Sequence, residues 1–360
     1  MPAQRGGVRP MMCAEVRRLK PKPAKAKQPG DLVTPIHGAF LEFPKGVNPG
    51  LSTHFEQVAS SAGTTLWKLK VGVPGMPVRP ARLVPQVDKR AVSRSVIEEA
   101  RGPLVIEPYR PDFVALNPIP KKARLGRRRA LRRRDGSRVE PLYVFPPDGR
   151  YVYNDHNYPW RCVGQVNNNG RISTGVLVGP RHVLTASHAL DWNAPWAVFG
   201  AHHYGTFNLA VGYTWCVWYH EKLGAVDSET VDEDYVVLVL DEPIGNSLGW
   251  FGSHTYLDDW DDEPYFAHCG YASDLNLLAE YPTYQADISL EEEDGGLMKA
   301  MSTETGDFTQ GHSGGPVFAW IDGVGPYAVG VVSGEGQGKN WVSGGTAMVR
   351  LIKQALAETP

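Results

Sequence analysis

The pattern of apolar and polar positions divides the chain near residue 150. Before that point regular patterning is scarce. Thr64-Thr65-Leu66-Trp67-Lys68-Leu69-Lys70-Val71 alternates and predicts a strand, and Ser93 to Arg101 predicts a short helix. Between them prolines recur too often for a long element. The first thirty residues are rich in Pro and Lys, carry no periodic apolar face and read as disordered. From Tyr151 the texture changes to short β-rich runs punctuated by Gly, Asn and Asp: Cys162–Val166, Ser173–Pro180, His182–Thr185, Val211–Tyr219, Tyr235–Leu240, Tyr265–His268, Val317–Trp320 and Tyr327–Val332. Only Ala347 to Glu358 places apolar residues (Met348, Leu351, Ile352, Ala355, Leu356) at helical spacing. Many short strands closed by one helix predict an all-β barrel or sandwich.

Composition narrows the classes. With 360 residues, 42% of them hydrophobic and 21% charged, the chain reads as globular rather than disordered. No run of eighteen apolar residues exists, so no membrane-spanning helix is expected. Four cysteines (Cys13, Cys162, Cys216, Cys269) without a C-x-x-C pair exclude a cysteine-rich zinc site and a dense disulfide scaffold. Cys162, Cys216 and Cys269 allow at most one disulfide among themselves, and all three free is the other arrangement open; Cys13 lies in the irregular start.

The net charge of −2 conceals an asymmetry. Residues 1–150 hold 29 Lys+Arg against 12 Asp+Glu, and residues 151–360 hold 8 against 27. That predicts two units with different jobs and an attraction between them: a basic N-terminal segment, 1–150, and a second domain, 151–360. The densest charge is Lys121-Lys122, Arg124, Arg127–Arg129 and Arg132–Arg134. Three readings fit it: a nucleic-acid patch, a processing linker between pro-segment and mature domain, and a solvated linker. No aromatics are interleaved, which argues against nucleic acid as a partner.

Three local sequences in the acidic part carry chemistry. Leu184-Thr185-Ala186-Ser187-His188-Ala189 crowds small residues around a histidine at a strand end. Asp234-Tyr235-Val236-Val237-Leu238-Val239-Leu240 sets an acid directly ahead of an apolar strand. Gly311-His312-Ser313-Gly314-Gly315-Pro316 places a serine in a glycine-rich turn. Together, in the order His, Asp, Ser, they meet one requirement: a serine needs a base, and the base needs a buried carboxylate to fix its tautomer. Gly311 lets its own N–H and that of Ser313 converge on a substrate oxyanion. His182 competes with His188 by proximity, but opens an apolar strand and lacks the Thr-Ala-Ser collar. Asp232 and Asp241 are the alternatives to Asp234.

Thr185-Ala186-Ser187-His188, Asp234–Leu238 and Gly311–Pro316 resemble the motifs of chymotrypsin-fold serine endopeptidases, over about residues 150–358. With no cysteine directly after His188, the chain looks closest to the glutamyl-endopeptidase-like branch. The resemblance implies two antiparallel β-barrels with a C-terminal α-helix and a site between them, with His188 and Asp234 on the first barrel and Ser313 on the second. It further implies acyl-enzyme chemistry without metal or cofactor, an oxyanion hole from Gly311 and Ser313, a substrate-pairing strand at Ser333-Gly334-Glu335, and a peptide or protein substrate. A secreted or vesicular enzyme made with a basic pro-segment is the corresponding expectation, although the first thirty residues hold no apolar core of an export signal.

Two positions depart from the family pattern. His312 stands where pancreatic-type members carry the acidic residue that pairs with a new N-terminus. The strand Val329–Gly334 lacks the histidine with which glutamyl endopeptidases receive an acidic side chain. Six places before Ser313, at the position of the first specificity pocket's base, stands Asp307. A carboxylate there favours Lys or Arg and repels Glu, and Glu335 near the rim pushes the same way. Cleavage after Glu and a catalytically silent binding module on the same fold are the alternatives.

Overall fold

The computed structural model describes residues 8–26, 40–44, 55–61, 64–69, 87–93, 102–123, 144–275, 279–293 and 296–360. These fall into two compact units, residues 31–86 and the remainder. In the smaller unit, β1 (Phe40–Pro44), β2 (Phe55–Ser61) and β3 (Thr64–Leu69) form an antiparallel sheet in the order β1-β3-β2. The alternation at Thr64 does make a strand. Apart from Ser93 itself, the helix expected over Ser93–Arg101 lies outside the described residues, as does the Arg127–Arg134 run.

The larger unit opens with a one-turn helix, α1 (Cys13–Val16), and the short strands β4 (Asp88–Ala91), β5 (Val105–Ile106) and β6 (Tyr151–Val152). Six strands then close on one another: β7 (Val163–Asn168), β8 (Arg171–Leu177), β9 (His182–Thr185), β10 (Val198–Ala201), β11 (Ala210–Tyr219) and β12 (Val236–Leu240). They run β10-β7-β8-β9-β12-β11, and β10 also pairs β11, which closes the barrel. Every side chain of β12 is buried, which explains its unbroken Val-Val-Leu-Val-Leu run.

After a single helical turn, α2 (Gly245–Leu248), the remaining strands build a second sheet: β13 (Gly252–His254), β14 (Phe266–Gly270), β15 (Thr283–Ile288), β16 (Glu291–Glu292), β17 (Lys299–Thr303), β18 (Pro316–Ile321), β19 (Gly325–Gly336) and β20 (Lys339–Gly344). Their order is β16-β17-β20-β19-β18-β14-β15-β6, with β13 joining β19 to β5. The chain ends in α3 (Thr346–Glu358), whose Ala347, Met348, Leu351, Ile352 and Ala355 are buried. The all-β class with a C-terminal helix is as expected.

The division at residue 150 follows charge and not packing. Strand β4 adds to the barrel edge in parallel with β11, and Val92 N–H donates to Tyr219 O at 2.9 Å. Lys22 and Leu116 exchange backbone hydrogen bonds of 2.9 and 2.7 Å, and Val16, Val114 and Leu116 are buried in the main core. Cys13 is buried, its thiol donating to Phe266 O at 3.4 Å and accepting from Asp287 N–H at 3.3 Å. The expectation of a disordered start therefore fails for residues 8–26. Single buried side chains on extended, Pro-rich backbone leave no periodic signature, so the sequence pattern misses them. All four cysteines are free and buried.

Candidate active site

His188 follows β9 in a segment fixed by its small polar neighbours. Thr185 Oγ1 donates to Thr174 O at 2.7 Å. Ser187 Oγ donates to Glu221 O at 2.8 Å and accepts from Leu223 N–H at 3.0 Å. Asp234 ends the 3-10 turn Val231–Glu233 directly ahead of β12 and is fully buried. One of its oxygens accepts the His188 backbone N–H at 2.9 Å, and the other lies 2.6 Å from His188 Nδ1. A carboxylate only accepts, so Nδ1 carries the proton and the Nε2 lone pair is left for a reacting group. Neither Asp232 nor Asp241 takes this place: Asp241 accepts from Tyr213 N–H at 2.8 Å.

Ser333 adds a bond that sequence reasoning did not supply. Its Oγ donates to the same Asp234 oxygen at 2.6 Å. The register between β19 and β20 shifts between Val332 and Gly334, so Ser333 is the extra residue of a bulge, a device that re-aims a side chain. A serine one place from its expected pairing leaves no mark in an apolar pattern.

The Ser313 loop is set against the barrel. Ser313 O accepts Thr174 N–H at 2.9 Å, and Gly314 N–H donates to Val332 O at 2.7 Å. Gly311 has φ +95°, and a Cβ there would stand 2.2 Å from Tyr271 O. At Gly314, φ +78°, a Cβ would meet Thr185 Oγ1 at 2.1 Å and Ala186 N at 2.6 Å. Only glycine permits this backbone and this approach to the segment that carries His188. Ser313 itself is half-buried. Among the described residues, no acceptor takes the N–H of Gly311 or of Ser313.

The neighbouring histidines are structural. His312 is fully buried; its Nδ1 accepts Thr309 N–H at 3.2 Å, so its Nε2–H donates to Thr283 Oγ1 at 2.9 Å. Burial, with His268 and Arg150 nearby, holds its pKa far below the ordinary value. The His268 ring packs edge-on against it, centroids 4.6 Å apart, and burial pushes His268 down to about 3. His182, the rival to His188, donates through Nε2 to Ala355 O at 3.2 Å beneath α3.

Asp307 does not present a free carboxylate. It is 1% exposed, and its oxygens accept from Phe145 N–H at 2.8 Å, Gly149 N–H at 2.8 Å and Gln285 Nε2 at 3.0 Å. Its own N–H donates to Gln285 Oε1 at 2.7 Å. Beside it, the buried Arg150 guanidinium reaches both oxygens of Asp274, at 3.1 and 2.7 Å, and Thr309 Oγ1 at 3.1 Å. This network fastens segment 145–150 to the loop ahead of Ser313. Three protein donors fill most of the carboxylate's acceptor capacity, so the reading of Asp307 as the base of an open specificity pocket gives way to a structural one. Ser333 is buried, Gly334 half-buried and Glu335 exposed, and partial burial raises the Glu335 carboxyl above its ordinary value.

Comparison with known proteins follows the same lines. The Trypsin family model matches residues 148–352. Among solved structures, a Glu endopeptidase aligns at 18% identity over 60% of this chain and all of its own, with TM-score 0.50. The protease Anisep from Arthrobacter nicotinovorans aligns at 16% identity over 56% of this chain and 97% of its own, with TM-score 0.44. Human heparin binding protein aligns at 18% identity over 59% and 97%, with TM-score 0.42. No curated protein matches this sequence.

Proposed function

Since this chain belongs to the trypsin family of serine endopeptidases, we propose that it hydrolyses peptide bonds with Ser313 as nucleophile, His188 as general base and Asp234 as the orienting acid. The observation that carries this reading is the 2.6 Å bond from His188 Nδ1 to a fully buried Asp234 carboxylate, with the Ser313 loop packed on the His188 segment. Ser313 Oγ attacks the scissile carbonyl carbon while His188 Nε2 takes its proton. Asp234, held by Ser333 Oγ, stabilises the imidazolium that forms. The N–H groups of Gly311 and Ser313 receive the oxyanion, a task for which their freedom from described acceptors suits them. His188 returns the proton to the leaving amine, and water then cleaves the acyl-enzyme by the same route.

The strand Ser333-Gly334-Glu335 pairs with the substrate backbone. With Asp307 committed to segment 145–149, preference for Lys or Arg at the first site rests on Glu335 alone. A fluorophosphonate probe tests the central assignment: it should label the intact chain on Ser313 and leave Ser313→Ala unlabelled. Equal labelling of both would remove Ser313 from the mechanism.

A further inference from the structure

The segment joining β11 to β12 begins and ends with metal-binding side chains. His220 and Glu221 follow the last residue of β11, and Glu233 closes the turn before Asp234. One ligand atom from each of the three lies within 4.8 Å of the others. The His220 side chain is only 4% exposed, and its Nδ1 lies 3.2 Å from Val92 O. A carbonyl only accepts, so Nδ1 carries a proton, and in the neutral ring Nε2 presents its lone pair. Among the described residues Nε2 makes no hydrogen bond, and it faces Glu233 Oε1 3.7 Å away. A backbone carbonyl that fixes the tautomer and orients the ring is the usual outer support of a ligating histidine.

We propose that His220, Glu221 and Glu233 bind a divalent transition-metal cation of the Zn²⁺ class. A cation placed between the imidazole lone pair and the carboxylate oxygen is bound by both. One imidazole with two carboxylates suits a borderline cation, whereas Ca²⁺ and Mg²⁺ prefer oxygen alone. The rival explanation is a proton on Nε2, which makes a His220–Glu233 ion pair.

The site flanks both ends of the His188–Asp234 pair. Glu233 is bonded to Asp234, and the Glu221 carbonyl accepts from Ser187 Oγ next to His188. Metal bonds of about 2.0–2.1 Å bring tetrahedral ligand atoms to about 3.3 Å from one another. Closing the 4.8 Å cluster that far draws Glu233 inward and moves Asp234 from its present bonds, so cation binding lowers turnover; this consequence rests on the proposed triad.

Equilibrium dialysis of the full-length Ser313→Ala chain against Zn²⁺, with metal analysis, decides the site without reference to hydrolysis. Binding of one equivalent at micromolar affinity is expected, weakened at least tenfold by His220→Asn and by Glu233→Gln, with Ca²⁺ failing to compete. A Zn²⁺-dependent rise in melting temperature should vanish in the same variants. If His220→Asn does not fold, Glu221→Gln takes its place. Equal binding by parent and variants, or none by the parent, would overturn the site. In the active chain, Zn²⁺ should reduce turnover several-fold, and not in Glu233→Gln. Binding without that reduction would overturn the coupling alone.

Discussion

Two aspartates of this molecule share burial and hydrogen-bond count yet face different work. Asp234 and Asp307 are 0% and 1% exposed, and each carboxylate accepts three hydrogen bonds. The donors differ. Around Asp307 they are two backbone N–H groups and a glutamine amide, none of which changes charge. Around Asp234 one donor is an imidazole whose far nitrogen stays available, and the His188 ring is 22% exposed where a substrate can reach it. A buried carboxylate is thus functional or structural according to what its partners can do next, and burial alone does not separate the cases.

The sharpest way to break this comparison is to remove members of the two networks in turn. Ser313→Ala and His188→Ala should each lower turnover by on the order of 10⁴-fold or more, and the double variant should add little, because the residues act as a unit. Asp234→Asn should fold yet lose about 10⁴-fold, since the amide favours the wrong imidazole tautomer. Steady-state kinetics on a peptide substrate measures all four variants. Additive losses, or an Asp234→Asn enzyme near wild-type rate, would break the assigned unit.

Asp307 should answer differently. Asp307→Ser strips the acceptor from two backbone N–H groups and from Gln285, and should cost about 2–4 kcal/mol of stability, as removal of one partner from a buried polar network does. Its effect on which peptide bond is cut should be small. Denaturant unfolding together with a positional peptide library reads both quantities. An intact stability with a changed cleavage profile would restore the pocket reading of Asp307.

The surroundings of the two loops also predict a pH response. Burial pushes His182 down to about 4 and His268 to about 3. Their folded values lie below the unfolded value of about 6.5, so the unfolded chain binds protons first as pH falls. The stability they contribute is complete above pH 6.5 and is lost progressively as pH drops through about 4 and 3. Melting temperature recorded from pH 7 to pH 4 should fall, and His268→Gln should fall less steeply. Parallel curves would show that His268 does not set the slope.

What the sequence made legible were features with local signatures. The buried run Val236–Leu240, the collar before His188, the Gly311–Pro316 turn and the α3 periodicity all became the elements they suggested. Features made by distant residues stayed hidden. Strands β17 and β20 read Lys-Ala-Met-Ser-Thr and Lys-Asn-Trp-Val-Ser-Gly, too polar to stand out, and are specified by pairing with each other. Gln285 has no motif at all, yet it holds Asp307 from both ends. The packing of residues before Arg150 onto the larger unit stayed hidden for the same reason: Val92 N–H bonds to Tyr219, 127 residues further on, and Leu116 to Lys22, 94 residues before it.

The smallest expected effect concerns the substrate strand. Glu335 sits on the exposed end of β19, two residues past Ser333, where the Asp234 network meets the surface. Being exposed, its charge is screened, and exposed pairs yield only fractions of a kcal/mol to about 1. Glu335→Gln should therefore lower kcat/KM for substrates with Lys or Arg at the first site by about twofold to fivefold, leave kcat for uncharged side chains unchanged, and weaken further contrast between the two as salt is raised. Competing peptides that differ only at that site, assayed at low and high ionic strength, give the ratio directly. A ratio that ignores both the substitution and the salt would leave neither Glu335 nor Asp307 selecting a cation, and the first-site preference would have to arise from the walls of the cleft.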